Sequence, residues 1–179
     1  MLDVFTPICN GSVPTLQRYK RTQDDRHAGF AAALSELRSG RKTGHWIWYV
    51  FPQLSGLGQS DLSRLYGIAD IAEATEYLRD PVLRDRLLSV AAAVLEHQRA
   101  GVPLSTLIGA PIDVLKLVSS LTLFGSVARR LHATEANEEY RRLSDVATEL
   151  LATAESEGHP PCRYTLRSLA RSCGGGGMS

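Results

Sequence analysis

The chain has 179 residues, 44% of them hydrophobic and 22% charged, proportions that suit one globular domain with a core of its own and no need of disulfide or metal staples. Its 20 basic and 19 acidic residues leave a net charge of +1. It therefore lacks the basic field of a dedicated nucleic-acid or anionic-membrane binder, while room remains for a local phosphate pocket.

In chain order, residues 1–15 carry Pro7, Gly11 and Pro14 without periodicity and are expected to form a loose arm. They also lack the pattern of a signal peptide. From Leu16 to Ser39 the pattern is helical, with Phe30, Leu34 and Leu37 on one face. Gly40 ends it, and Arg38, Arg41 and Lys42 lie near its negative end. The run 45–51 is ambiguous: aromatic and β-branched residues favour a strand, but so short a run fits a buried helical turn or two equally well. Ser60 is the expected cap of a short helix carrying Leu62, Leu65 and Tyr66, and Asp70 with Glu73 forms a capping box for 71–79. Asp80-Pro81 opens a helix whose stripe is Leu83, Leu87, Val90 and Val94, closed by Gly101. Pro111 opens another, with Val114, Leu117, Leu121 and Phe124 inward.

Thr134 is the expected cap of a last long helix that turns Leu143, Val146 and Leu150 inward and stops at Gly158 and Pro160-Pro161. Residues 171–179 read as a flexible Gly-rich tail. No internal repeat or second domain is visible. The expectation is all-α: a single compact multi-helix domain over residues 16–170 between flexible N- and C-terminal tails. Cys9, Cys162 and Cys173 do not read as a disulfide framework. No apolar run approaches the ~20 residues of a membrane span, so a cytoplasmic protein with no membrane partner is expected.

Few stretches carry chemistry. Gly56-Leu57-Gly58 follows an apolar run and precedes a helix, but Asp61 holds the third glycine position of a dinucleotide-binding turn and no strand-helix alternation surrounds it. A Gly/Ser loop at a helix start is still a ready anion site, or simply a tight turn. His45 stands where the basic loop 40–44 meets the aromatic run, and reads either as an acid–base or phosphate-binding group or as a capping or core histidine satisfied by backbone. Trp46 and Trp48 read as core or as stacking faces for a flat ligand. Lys116, Ser119 and Ser120 share a helical face, able to grip a phosphate or carboxylate. The plainer alternative pairs Lys116 with Asp113 on a solvated face. Cys162 follows two prolines and precedes Arg163, a setting that lowers a thiol pKa, but no base adjoins it in the sequence. The five histidines are dispersed without metal-ligand spacing, so no metal and no cofactor are expected.

Gly40-Arg41-Lys42, His45-Trp46, Trp48, Phe51-Pro52-Gln53, Gly56-Leu57-Gly58 and Ser60 form a spaced pattern, joined later by Tyr66, Ile68, Glu73-Ala74, Tyr77-Leu78, Pro81 and Leu83. Asp113, Lys116-Leu117, Ser119-Ser120 and Thr122-Leu123-Phe124 complete it. This pattern resembles the family catalogued as domain of unknown function 1810 over a core of about residues 16–125. The resemblance implies a compact all-α fold with the aromatic run helical. It implies no activity, although some fungal members carry a calpastatin label. The chain departs from the family at Val118, where arginine is common, at Leu121, where methionine is common, and at Cys162, which replaces an acidic residue. Residues 126–160 are longer and more polar than the family pattern implies.

Together these features suggest a site for a small phosphate-bearing or nucleotide-like ligand, ADP-ribose-type compounds included. Trp46, Trp48, Gln53, Gly56, Gly58, Ser60, Tyr66 and Ser119 would bind it. His45 would transfer any proton and Lys116 would stabilise negative charge. The alternative is a non-enzymatic protein-interaction module, in which the tryptophans pack a core or a partner groove.

Overall fold

The computed structural model describes residues 16–174. The regular elements of the described chain are helices: α1 (Gln17–Gln23), α2 (Phe30–Arg38), α3 (Ile47–Val50), α4 (Asp61–Leu65), α5 (Ile71–Arg79), α6 (Pro81–Arg99), α7 (Leu104–Leu107), α8 (Pro111–Glu135), α9 (Glu138–Ser156) and α10 (Arg163–Gly174). The arm expected at residues 1–15 and the tail end at 175–179 lie outside the described residues.

Where the sequence supplies a cap, a helix begins. Ser60 Oγ accepts the Ser63 amide at 3.2 Å, and Asp70 Oδ1 accepts the Glu73 amide at 2.8 Å. Asp80 Oδ1 accepts the Val82 and Leu83 amides at 3.1 and 3.2 Å. Each bond satisfies a donor that the first turn leaves orphaned. The Asp70 box is one-sided, because Glu73 turns instead to the Ala69 amide and to Arg18, both at 2.7 Å. Past the ends of α2, α6 and α9, Gly40, Gly101 and Gly158 take φ of 82°, 82° and 89°, the left-handed conformation that favours glycine.

Three boundaries differ from the sequence reading. Leu16–Ser39 is two helices rather than one: Asp25 Oδ1 draws in the His27 and Ala28 amides, both at 2.8 Å, forming a turn that competes with the helical ladder. Gly29 lets the chain pass this turn, since a Cβ there would sit 2.3 Å from the Asp25 carbonyl oxygen. Thr134 does not cap the last long helix. It lies inside α8 with its hydroxyl on the Arg130 and Leu131 carbonyls, and Asn137 caps α9 through the Glu139 amide at 2.8 Å. Finally, α10 follows Pro160-Pro161 and runs to Gly174, so residues 171–174 are helical rather than tail. Among the described side chains of α10, Thr165 and Leu169, about one turn apart, are the buried ones.

The 25-residue α8 is the central element, packed against α9, α5, α10, α3 and α7. It is long and apolar enough to cross a membrane by composition, but 78% of its apolar window is buried inside the fold, as in a core helix. An aromatic cluster binds the short N-terminal helices to it. The Tyr77 ring lies 4.9 Å from Phe124 of α8, Tyr19 meets Tyr77 edge-on at 5.2 Å, and Tyr49 meets Tyr66 edge-on at 5.3 Å. Gln23, buried among them, donates to the Tyr49 carbonyl at 2.7 Å and to the Tyr77 hydroxyl at 3.2 Å.

The run 45–51 is helical at α3, and a carboxylate from α2 fixes its approach. Glu36 Oε2 accepts the Thr43 amide at 2.7 Å, the Gly44 amide at 2.9 Å and the Trp46 indole N–H at 2.8 Å. The indole can therefore be 1% exposed without an orphaned donor. Burial pushes the Glu36 carboxyl up, but these donors outweigh it and hold it below the ordinary range.

Two predictions follow from this packing. A Cβ on Gly125 would come within 2.7 Å of the Ala147 methyl where α8 crosses α9. Gly125→Ala should therefore destabilise the fold by about 1–3 kcal/mol. Ala147→Gly in the same chain should recover part of that loss, read as a positive coupling in a denaturant double-mutant cycle. Because the folded pKa of Glu36 is depressed, its contribution is present above the ordinary carboxylate pKa and is lost as pH falls through the folded value. Glu36→Gln should cost about 1–2 kcal/mol at pH 7 by weakening charge-assisted bonds. It should also flatten the acid limb of a thermal-melt pH series.

Candidate functional site

The site grows from one face of α8. Asp113, Lys116 and Ser119 succeed one another at three-residue spacing and stand on that face. Asp113 lies in the first turn, where a carboxylate suits the positive helix end. It does not keep a single partner. Its Oδ1 takes Lys116 Nζ at 3.0 Å and its Oδ2 takes Lys42 Nζ at 2.8 Å, with all three side chains nearly buried. Burial pushes the Asp113 carboxyl up, but its bonds to Lys42 and Lys116 outweigh that and leave it below the ordinary range.

Each lysine also lies over an indole. Lys116 Nζ is 4.0 Å from the Trp48 ring centroid and Lys42 Nζ is 5.4 Å from that of Trp46. The order across the site is Trp46, Lys42, Asp113, Lys116, Trp48. Two ammonium groups share one carboxylate, so among the described residues one positive charge is left without a counterpart. The sequence-level pairing of Lys116 with Asp113 is real, but the face is buried rather than solvated, with Lys116 8% exposed.

The opposite wall is the loop between α3 and α4. Ser55 N donates to Ile68 O at 2.8 Å and Ile68 N to Gln53 O at 2.9 Å, a short parallel bridge that pins the loop start. Gly56 adopts φ 91°, and a Cβ there would strike the Tyr164 hydroxyl at 2.7 Å. That hydroxyl donates to Ser55 O at 3.0 Å. A Cβ on Gly58 would strike Ser63 Oγ at 2.4 Å. The two glycines thus let the loop close onto α10 and α4. Ser60 is occupied with capping the single turn of α4 through the Ser63 amide.

Between these walls lies a cavity of about 520 Å³, well within the range of small-molecule sites. Trp48, Gln53, Leu57, Gly58, Gln59, Ser60 and Ser63 line one side, and Ile112, Leu115, Lys116, Val118 and Ser119 of α8 line the other. Pro160 and Cys162 complete it. Among the described residues, Lys116 is the one charged residue in this lining. The Cys162 amide donates to Thr122 Oγ1 at 3.2 Å, and its carbonyl accepts the Leu166 amide at 3.0 Å, which fixes it at the start of α10. Burial pushes the Cys162 thiol up, but the Ser119 and Thr165 hydroxyls and the first amides of α10 outweigh it and lower the pKa from its ordinary value.

Of the residues named from sequence, Trp48, Gln53, Gly58, Ser60, Lys116 and Ser119 meet at this cavity. The others do not line it. Trp46 is sealed in the core against Glu36. Tyr66 belongs to the aromatic cluster, with its hydroxyl 2.8 Å from Thr22 Oγ1. Gly56 shapes the loop from outside, and His45 is exposed one residue before Trp46. The sequence reading missed Ile112 and Leu115, although with Lys116 and Ser119 they complete an i, i+3, i+4, i+7 stripe on α8. It also missed the placement of Cys162, which only the return of α10 onto α8 brings to the cavity. Among the described residues, no group of three or more His, Cys, Asp or Glu stands together to hold a metal.

Comparison with known proteins gives the fold and site a context. The conserved hypothetical protein Rv1873 from Mycobacterium tuberculosis, known from a crystal structure, is 35% identical, with a TM-score of 0.65 over 87% of this chain and 96% of that one. No curated protein matches the chain. The family described as protein of unknown function (DUF1810) matches residues 14–150. With that match spanning most of its length, the chain belongs to this family of unknown function.

Proposed function

We propose that the protein binds a small anionic ligand, phosphate-bearing or nucleotide-like, in the cavity between α8 and the 53–60 loop. The observation that carries this reading is the charge of the lining: among the described residues its one ionic group is the Lys116 ammonium, and Lys116 and Lys42 divide a single carboxylate between them. An incoming phosphate or carboxylate would supply the missing counter-charge in a site of low dielectric, where such a pair is strong. Trp48 offers a flat face beside that cation, and Leu57, Ile112 and Leu115 offer apolar area, so a ligand with a planar or apolar body and an anionic end fits best. Gln53, Gln59 and Ser119 supply amide and hydroxyl groups for orientation.

The reading is one of binding. Among the described residues no histidine lines the cavity, and His45 lies outside it. We place the protein in the cytoplasm, a reducing setting that suits a free thiol at Cys162. A second reading, a protein-interaction module, rests on the exposed apolar residues Ile112 and Leu115 of α8 and Leu62 and Leu65 of α4.

A thermal-shift screen of nucleotides and phosphorylated metabolites tests the choice. A ligand present at 100 times its dissociation constant should stabilise the fold by about 2.7 kcal/mol. Lys116→Gln should weaken binding by about tenfold or more, the usual cost of losing a buried charge-assisted bond. His45→Ala, outside the lining, should leave the affinity within about twofold, inside the range of a neutral surface change. A flat screen, or a Lys116→Gln chain that binds as well as the wild type, overturns the reading in favour of the interaction module.

A further inference from the structure

The charge around Lys116 can be counted. Asp113 meets it from its own helix, Lys42 joins Asp113 from the loop after α2, and the Cys162 thiol stands in the same cavity wall at the start of α10. Two ammoniums against one carboxylate leave a single positive charge among the described residues. No arginine and no second lysine among them lines the cavity to match a further negative charge. Trp48, the ring 4.0 Å from Lys116 Nζ, has a deficit of another kind. Its Nε1 is buried and has no hydrogen-bond partner among the described residues, although a buried N–H ordinarily finds one. Beyond this pair the wall turns apolar and reaches the surface: Ile112 and Leu115 line the cavity while 59% and 50% exposed.

We propose that the cavity selects a singly charged oxyanion on a planar or apolar body, a carboxylate or a phosphodiester, over the doubly charged phosphate monoester of such a body. The inference rests on the binding reading above and narrows it. One negative charge completes the balance among Asp113, Lys42 and Lys116. A second would leave water with nothing to pair it, and desolvating an unpaired charge is costly. The same oxyanion brings an acceptor to the Trp48 indole N–H, because its oxygens can be divided between neighbouring donors. The body then lies along Ile112 and Leu115 and takes from water the apolar surface that they expose. The monoester is disfavoured rather than excluded, since the mouth beside Leu115 is open to solvent.

The test is isothermal titration of the full chain with two matched sets of probes. One set is naphthylacetate, naphthyl phosphate and the neutral naphthylacetamide; the other is cyclic AMP and AMP. At pH 8 naphthylacetate and cyclic AMP should each bind about tenfold or more tightly than the monoester of their set, and the amide about tenfold more weakly than the carboxylate. The tighter of the two singly charged probes assigns the head as carboxylate or phosphodiester. Lowering the pH from about 8 to about 5.5 returns a proton to a phosphate monoester, whose second pKa is about 6, while a carboxylate stays charged. The affinity of naphthyl phosphate relative to naphthylacetate should therefore rise about three- to tenfold, a ratio in which titration of Cys162 or any other protein group cancels. Leu115→Lys, at a half-exposed lining position, adds a second cation and should bring the monoester level with the carboxylate. Trp48→Phe keeps a ring but removes the N–H, and should weaken the singly charged probes about three- to tenfold. Monoesters that bind as tightly as their singly charged matches, or a preference that neither pH nor Leu115→Lys moves, overturn the charge selection and leave the binding reading standing. Unchanged affinity in Trp48→Phe overturns the seat at the indole. An amide that binds as well as the carboxylate overturns the role of Lys116 and the binding reading with it. Binding by none of these probes overturns the present inference, and the binding reading falls as well only if the nucleotide screen is also flat.

Discussion

One carboxylate, Asp113, holds the site together by serving two masters. Lys42 arrives from the loop after α2 and Lys116 from α8, and both end on its oxygens with their side chains almost out of solvent. Two buried ammoniums beside a single carboxylate would repel one another and suffer desolvation unless something further stabilised them. The indoles provide it: each ammonium lies over a tryptophan face, where the ring quadrupole attracts a cation without cancelling its charge. The arrangement keeps a cation poised at a cavity wall, with local structure built around the unbalanced charge rather than against it.

That constraint explains the large aromatic content before Pro52. Trp46 and Trp48 lie two residues apart, yet they end in different environments. Since α3 is a single helical turn, residues two apart point to different sides of it. Trp46 turns into the core, where Glu36 satisfies its indole N–H, and Trp48 turns to the cavity. A strand would have put both indoles on one face, and the pairing of one lysine with each ring would be lost. The helical turn is thus part of the chemistry. The glycines of the following loop then let the opposite wall approach Tyr164 and Ser63 more closely than any Cβ allows.

Much of this was legible in the residues because it is local. Caps at Ser60, Asp70 and Asp80, stops at Gly40 and Gly101, and the apolar stripes of α6 and α8 are short-range effects that sequence spacing records directly. Lys116, Ser119 and Trp48 stood out for the same reason: a cation and hydroxyls in an apolar helix, and an indole beside a glycine loop. The failures are non-local or competitive. The Asp25 turn won over a helical pattern that looked continuous through 16–39. Asn137 displaced Thr134 as a cap because α8 continued to Glu135. His45 and Tyr66 looked like site residues by their neighbours in sequence, but one faces solvent and the other an aromatic cluster. Cys162 looked remote from the site because Thr122, which accepts its amide, stands 40 residues earlier on α8.

Membership of the DUF1810 family sets the fold, and the family itself carries no assigned chemistry. The physical reading supplies what membership does not: a cavity with one cation, one flat aromatic wall and one thiol. The most direct measurement of that reading exploits the chain's two tryptophans, whose indole N–H signals are separately visible in a proton–nitrogen correlation spectrum. On titration with a nucleoside monophosphate the account predicts saturable movement of the Trp48 signal while that of Trp46, locked to Glu36, stays in place. A Trp48 signal that stays fixed throughout the titration, or a Trp46 signal that moves instead, would contradict it.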